Sequence, residues 1–281
     1  HYPIAQGDLR MTFCRHFSQT TFIAASMLAA IAIGPVATAA EAPKVKPVEN
    51  ASPKRLLFVG NSYLYYGDSL HNHVRRMAIE ADKENKKQYK YKSATISGSA
   101  LHDHNIDSYL EPGKLRVKKP FEWVILQGGS AVGWSKKRPP VFKKTVAEFV
   151  NKIKAAGGQA ALYMTQAYVK PHKRVDPNMT RTLEKIYVEA GNANGALVIP
   201  VGLAFEEAYK QRPDLNFHKS FDGSHPSLIG TFLAANVVYA SLYGRSPVGN
   251  PYDYYGKIDK EMVTFLQKVA DKTVRNFYGL K

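Results

Sequence analysis

Two serines stand in similar company within "LLFVGNSYLYYGDSL", residues 56–70: Gly60-Asn61-Ser62 and Gly67-Asp68-Ser69. A serine hydroxyl is a poor nucleophile until a base takes its proton, so either serine needs a histidine held by a carboxylate. "FDGSHP", residues 221–226, supplies that pair, with Asp222 and His225 in a Gly-Ser turn. Their short spacing lets the carboxylate accept from one imidazole nitrogen while the other faces across a crevice. The packing alternative has Asp222 capping the turn and His225 resting on the next helix, for which Pro226 suits the first position.

The elements around these residues decide between the serines. From Arg55 onward, apolar runs of strand length alternate with amphipathic helical patterns: "RLLFVG", "LHNHVRRMAIEADKEN", "YKSATIS", "FEWVILQ", "VFKKTVAEFVNKIKAAGG", "QAALYMTQ", "TRTLEKIYVEAGNANG", "ALVIPVG" and "LAFEEAYKQ". Two further helical patterns follow, "PSLIGTFLAANVVYASLYG" and "DKEMVTFLQKVADKTVRNFYG". Continuous apolar strands between helices predict an α/β domain, a single three-layer α/β/α sandwich on a central parallel sheet. In such a sheet, functional groups converge where strand carboxyl ends meet the following loops. Ser62 lies there, directly after "LLFV", with Gly60 allowing a tight exit and Asn61 able to bond the turn locally. Ser69 instead opens a helical pattern and is expected to cap it. The literal "GDS" is the decoy.

Taken together, a glycine-framed serine after the first strand, "ISGSAL" after the second, "ILQGGS" after the third and Asp-x-x-His before a late helix resemble the SGNH (GDSL-like) hydrolases. The resemblance runs from about residue 55 to 245, and "FVGNS" with "DGSHP" is its most specific part. It implies a flavodoxin-like sheet and a serine esterase with Ser62 as nucleophile, His225 as base and Asp222 as its orienter. It also implies an oxyanion hole from the backbone N–H groups of Ser62 and Gly98, and no cofactor or metal. Two departures stand out. Asn61 replaces the usual aspartate, which is not a triad member. The third block carries Ser130 where the family has an asparagine amide, and Gln127 has that amide chemistry but is displaced in register. Gln127 is the favoured third donor and Ser130 the alternative.

Other clusters carry less. His71-x-His73 and His102-x-His104 lack an identifiable third ligand, so no metal is expected, and Glu206-Glu207 lies in a helical pattern with a solvated face. Tyr63, Tyr65, Tyr66 and Trp134 flank the proposed site, where they either stack on sugar rings or pack in the core.

The ends and the charge bound the setting. "MTFCRHFSQTTFIAASMLAAIAIGPVATAA" after Met11 reads as a secretory signal peptide: a weakly basic start, an apolar run rich in small residues, then Ala37-Thr38-Ala39. Residues 1–40 are therefore expected to be upstream sequence plus signal, 41–54 a Pro/Lys-rich tether and 55–281 the hydrolase domain. The mature chain would be secreted or periplasmic, without stable membrane insertion. The single cysteine, Cys14, falls in the leader, which excludes a disulfide framework or thiol nucleophile beyond it. The net charge of +16 comes from lysines and arginines scattered through the chain, with no nucleic-acid fold signature. An acidic polysaccharide is the partner that charge suits. The expected substrate is a small-molecule or carbohydrate ester, O-acetyl groups first. The alternatives are a lipase or thioesterase, or a binding protein of the same fold with weak or no turnover.

Overall fold

The computed structural model describes residues 41–280, so the expected leader and Cys14 lie outside the described residues. Five strands form one sheet: β1 (Arg55–Gly60), β2 (Lys90–Thr95), β3 (Trp123–Gln127), β4 (Gln159–Tyr163) and β5 (Leu197–Ile199). Every pairing is parallel and the order is β2-β1-β3-β4-β5. The helices between and after them are α1 (Ser62–Tyr65), α2 (Leu70–Ala81), α3 (Ile106–Leu110), α4 (Arg138–Ala155), α5 (Met179–Asn194), α6 (Val201–Gln211), α7 (Leu228–Tyr243) and α8 (Lys260–Tyr278).

The strand side chains explain the three layers. Leu56 and Phe58 of β1 join a core with α2, α6, α7 and α8, while Leu57 and Val59 join a second core with α4 and α5. A strand buried on both faces needs apolar residues at every position, which is why "LLFV" shows no alternation. Helix α7 is apolar on all sides because α2, α6 and α8 enclose it. Among the described residues no helix is long and apolar enough to cross a membrane.

The order also places a crevice. The chain runs from β1 to β2 on one side, then crosses back to β3 on the other. The carboxyl ends of β1 and β3 therefore flank the point where the order reverses, the position at which such sheets bind ligands.

Three local expectations are corrected. The segment 41–54 is no free tether: the Lys44 N–H donates to Asn192 Oδ1 at 2.8 Å, and the Pro53 carbonyl accepts from the Tyr91 and Tyr243 hydroxyls at 2.9 and 3.2 Å. Buried Pro43 and Pro53 and partly buried Val45 give it apolar contacts that its proline and lysine content obscures. Ser69 occupies the N-cap position of α2 but its side chain makes no capping bond. Gly67, Asp68 and Ser69 all have positive φ (65°, 71° and 60°), a backbone path that carries the hydroxyl away from the first turn. Pro226 precedes the cap of α7 instead of opening the helix; Ser227 Oγ caps, accepting from Gly230 N–H at 3.2 Å.

Candidate active site

The strand β1 delivers Ser62 to the crevice through a braced turn. Asn61 caps α1, its Oδ1 accepting from the Tyr63 N–H at 3.1 Å, while its Nδ2 donates to the Ser99 carbonyl at 2.9 Å. The Asn61 N–H donates to Gln127 Oε1 at 2.9 Å. One residue therefore ties the serine turn to the loops after β2 and β3.

Across the crevice, the loop before α7 carries Asp222 and His225. Ser62 Oγ donates to His225 Nε2 at 2.8 Å, and His225 Nδ1 donates to Asp222 Oδ2 at 2.5 Å. Asp222 Oδ1 accepts from the backbone N–H groups of Ser224 and His225 at 2.8 and 3.1 Å. The carboxylate thus shapes its own turn while fixing the ring tautomer that leaves Nε2 free to accept a proton. Burial pushes the Asp222 carboxyl up, but the hydrogen bonds from the His225 ring and the two N–H groups outweigh it and hold the carboxyl below its ordinary range. Gly223, between them, has φ 63°, and a Cβ there would run into the Val169 carbonyl.

A cavity of about 400 Å³ opens beside this relay, with Ser62, Gly98, Ser130, Arg138 and His225 on its wall. Gly98 has φ 69° and no neighbour where a Cβ would stand, so its backbone faces open space. Among the described residues neither the Ser62 nor the Gly98 N–H has a hydrogen-bond acceptor. Two donors without partners beside a serine hydroxyl are the arrangement an oxyanion hole would require.

Gln127 does not line the cavity, against the expectation that its amide faces the oxyanion. Its Oε1 takes the Asn61 N–H, which fixes the amide orientation, and its Nε2 donates to the Gly128 carbonyl. It is fully buried off the cavity wall, and a buried amide at the end of a five-residue apolar strand must find such partners. That requirement was the overlooked signal. Gly60 has a related explanation: its φ is ordinary, but a Cβ would collide with the Gln127 side chain, so glycine serves this approach and not a tight exit. Ser130, the alternative, lies on the cavity wall.

Several other residues singled out above have local partners, whereas the buried His71 Nδ1 has none. His104 Nε2 donates to Ser99 Oγ at 3.1 Å, and Ser99 Oγ donates to the Gly60 carbonyl at 3.5 Å, which braces the loop carrying Gly98. His73 Nε2 donates to the Gly67 carbonyl at 2.7 Å, and its Nδ1 accepts from the Tyr252 hydroxyl at 3.1 Å. Glu206 and Glu207 pair with Lys210 and Lys272, respectively, on the surface. Among the described residues no three histidine, cysteine or acidic side chains gather as a metal site. Trp134 is exposed with the Arg174 guanidinium 3.9 Å above its ring. Tyr63 is buried and bonded to Ser224 Oγ at 2.6 Å, and it contributes to the cavity wall.

No protein-family model matches the chain, and no curated protein matches it. Solved structures do. A candidate SGNH hydrolase from Slackia heliotrinireducens is 21% identical over 67% of this chain and 98% of its own, with a TM-score of 0.54. A DUF4886 family protein from Bacteroides uniformis is 19% identical over 80% of this chain and 95% of its own, with a TM-score of 0.59. The acetyl xylan esterase AlAXEase is 17% identical over 66% of this chain and 98% of its own, with a TM-score of 0.52. At these identities the likeness is one of fold.

Proposed function

The chain has the fold of the SGNH (GDSL-like) hydrolases, and on that premise we propose that it is a serine esterase acting through Ser62, His225 and Asp222. The continuous relay from Ser62 Oγ to His225 to Asp222, at 2.8 and 2.5 Å, carries the reading. Ser62 Oγ attacks the ester carbonyl as its proton passes to His225 Nε2, and Asp222 stabilises the imidazolium that forms. The N–H groups of Ser62 and Gly98 receive the oxyanion, with the Ser130 hydroxyl as the third donor. The imidazolium gives its proton to the departing alkoxide, leaving an acyl-serine. Water then attacks this ester while His225 takes its proton, and the tetrahedral intermediate collapses to free acid and Ser62.

An acetylated carbohydrate is the substrate class we favour: the fold likeness to an acetyl xylan esterase and the +16 net charge support it, and a cavity of about 400 Å³ has room for an acetyl ester. That charge suits an acidic polysaccharide carrier, and the apolar leader supports export. Hydrolysis of p-nitrophenyl acetate and p-nitrophenyl palmitate by wild-type and Ser62→Ala protein tests the reading. Acetate turnover lost in the variant, with little palmitate turnover, is expected. Palmitate turned over as well as acetate would make the enzyme a lipase, and acetate turnover unchanged in a folded Ser62→Ala protein would remove the serine.

A further inference from the structure

Tyr66 is absent from the relay yet touches its centre. Its ring lies against the His225 imidazole with centroids 4.1 Å apart and planes at 20°, a face-to-face contact. Tyr63 meets the same imidazole edge-on at 5.6 Å and 83°. The histidine is thus held in its plane by one ring and steered at its edge by another, while its two nitrogens are taken by Ser62 and Asp222.

The backbone of Tyr66 is fixed with equal care. Its N–H donates to the Ser62 carbonyl at 3.0 Å, closing the single turn of α1, and its carbonyl accepts from Thr231 Oγ1 of α7 at 3.2 Å. The next residue, Gly67, lies so close to Thr231 and the Ser227 carbonyl that no Cβ fits. The nucleophile's helix and the start of α7, just after the histidine turn, are therefore clamped together at Tyr66. On the far side Tyr65 stacks on Tyr66 at 5.6 Å and 27°, and its hydroxyl donates to Ser97 Oγ at 3.1 Å, next to Gly98. A single aromatic stack connects the base to the loop that holds the oxyanion donor.

We propose that Tyr66 is a positioning residue of the reaction, whose ring face aligns the His225 imidazole on Ser62 and presents π density to the imidazolium formed when the serine proton is taken. The inference rests on the esterase reading. Charge appears on the ring only as the proton leaves Ser62, so the attraction between cation and π face grows between ground state and transition state. Its loss is therefore felt in kcat and little in KM.

Tyr66→Phe and Tyr66→Leu separate this from simple packing, since both keep an apolar side chain there and only phenylalanine keeps a π face. With p-nitrophenyl acetate, Tyr66→Leu is expected to lower kcat roughly tenfold with KM nearly unchanged, while Tyr66→Phe stays within about threefold of wild type. Thermal melts confirm that both variants fold. Equal kcat for the two variants, or a loss carried by KM, would overturn the role of the ring face. Absence of turnover in the wild type would overturn the esterase reading and this inference together, whereas equality of Phe and Leu in an active enzyme would overturn this inference alone.

Discussion

At the scale of single residues, the proposed oxyanion hole gives the sharpest distinction. Ser130 lies on the cavity wall, whereas Gln127 spends its amide on the Asn61 N–H and the Gly128 carbonyl. Removing a donor aimed at developing charge costs on the order of 10²-fold in kcat. We expect Ser130→Ala to lower kcat by about that factor with KM little changed, measured in the same ester assay. Gln127→Ala is expected to act differently, lowering the melting temperature because it leaves the buried Asn61 N–H unpaired, a loss of about 1–3 kcal/mol. A Ser130→Ala enzyme with full kcat would leave the hole to its two backbone donors. That Ser62, Asp222 and His225 come together was legible in the sequence because a serine at a strand exit and an Asp-x-x-His turn each suggest a partner of the other's type, and the two segments together resemble one family. Gln127 was misread because its partner depends on how closely Gly60 approaches it across the sheet, which spacing along the chain does not reveal.

At the scale of elements, the turn from Asp222 to His225 is held by backbone geometry as much as by side chains. Gly223 combines φ 63° with a carbonyl contact from Val169 that leaves no room for a methyl group, and its own carbonyl accepts from the Val169 N–H at 2.9 Å. Gly223→Ala adds the left-handed backbone cost of about 1–2 kcal/mol to a steric clash. We expect it to destabilise the fold by about 2 kcal/mol or more in a denaturant titration and to displace His225 from Ser62. Unchanged stability would mean the turn has slack that the structure does not show. The strands followed from continuous apolar runs and the long helices from their apolar periodicity, and the order β2-β1-β3-β4-β5 fits the expected flavodoxin-like sheet. Ser69 escaped prediction because a run of three positive φ angles at Gly67, Asp68 and Ser69 comes from the clamp against α7, not from local propensity.

At the scale of the molecule, several histidines are built into the packing. Burial lowers His71 and His218 from 6.5 to about 4 and lowers His73 and His104 in the same direction. In the unfolded chain these rings bind protons below about pH 6.5, and in the folded protein only at lower pH. The stability they contribute is thus full above pH 6.5 and is lost as pH falls toward 4. The melting temperature is expected to decline across that window, and a flat profile would contradict the buried neutral state. The segment 41–54 belongs to this scale too, since its contacts with Asn192, Tyr91 and Tyr243 are long-range and composition alone reads it as a linker. The claim on which the rest depends is that His225 activates Ser62. Treating the folded protein with a fluorophosphonate and mapping the adduct by peptide mass spectrometry tests it most directly. The account predicts one adduct, on Ser62, formed far more slowly in His225→Ala; an adduct on another residue, or equal labelling without the histidine, would contradict it.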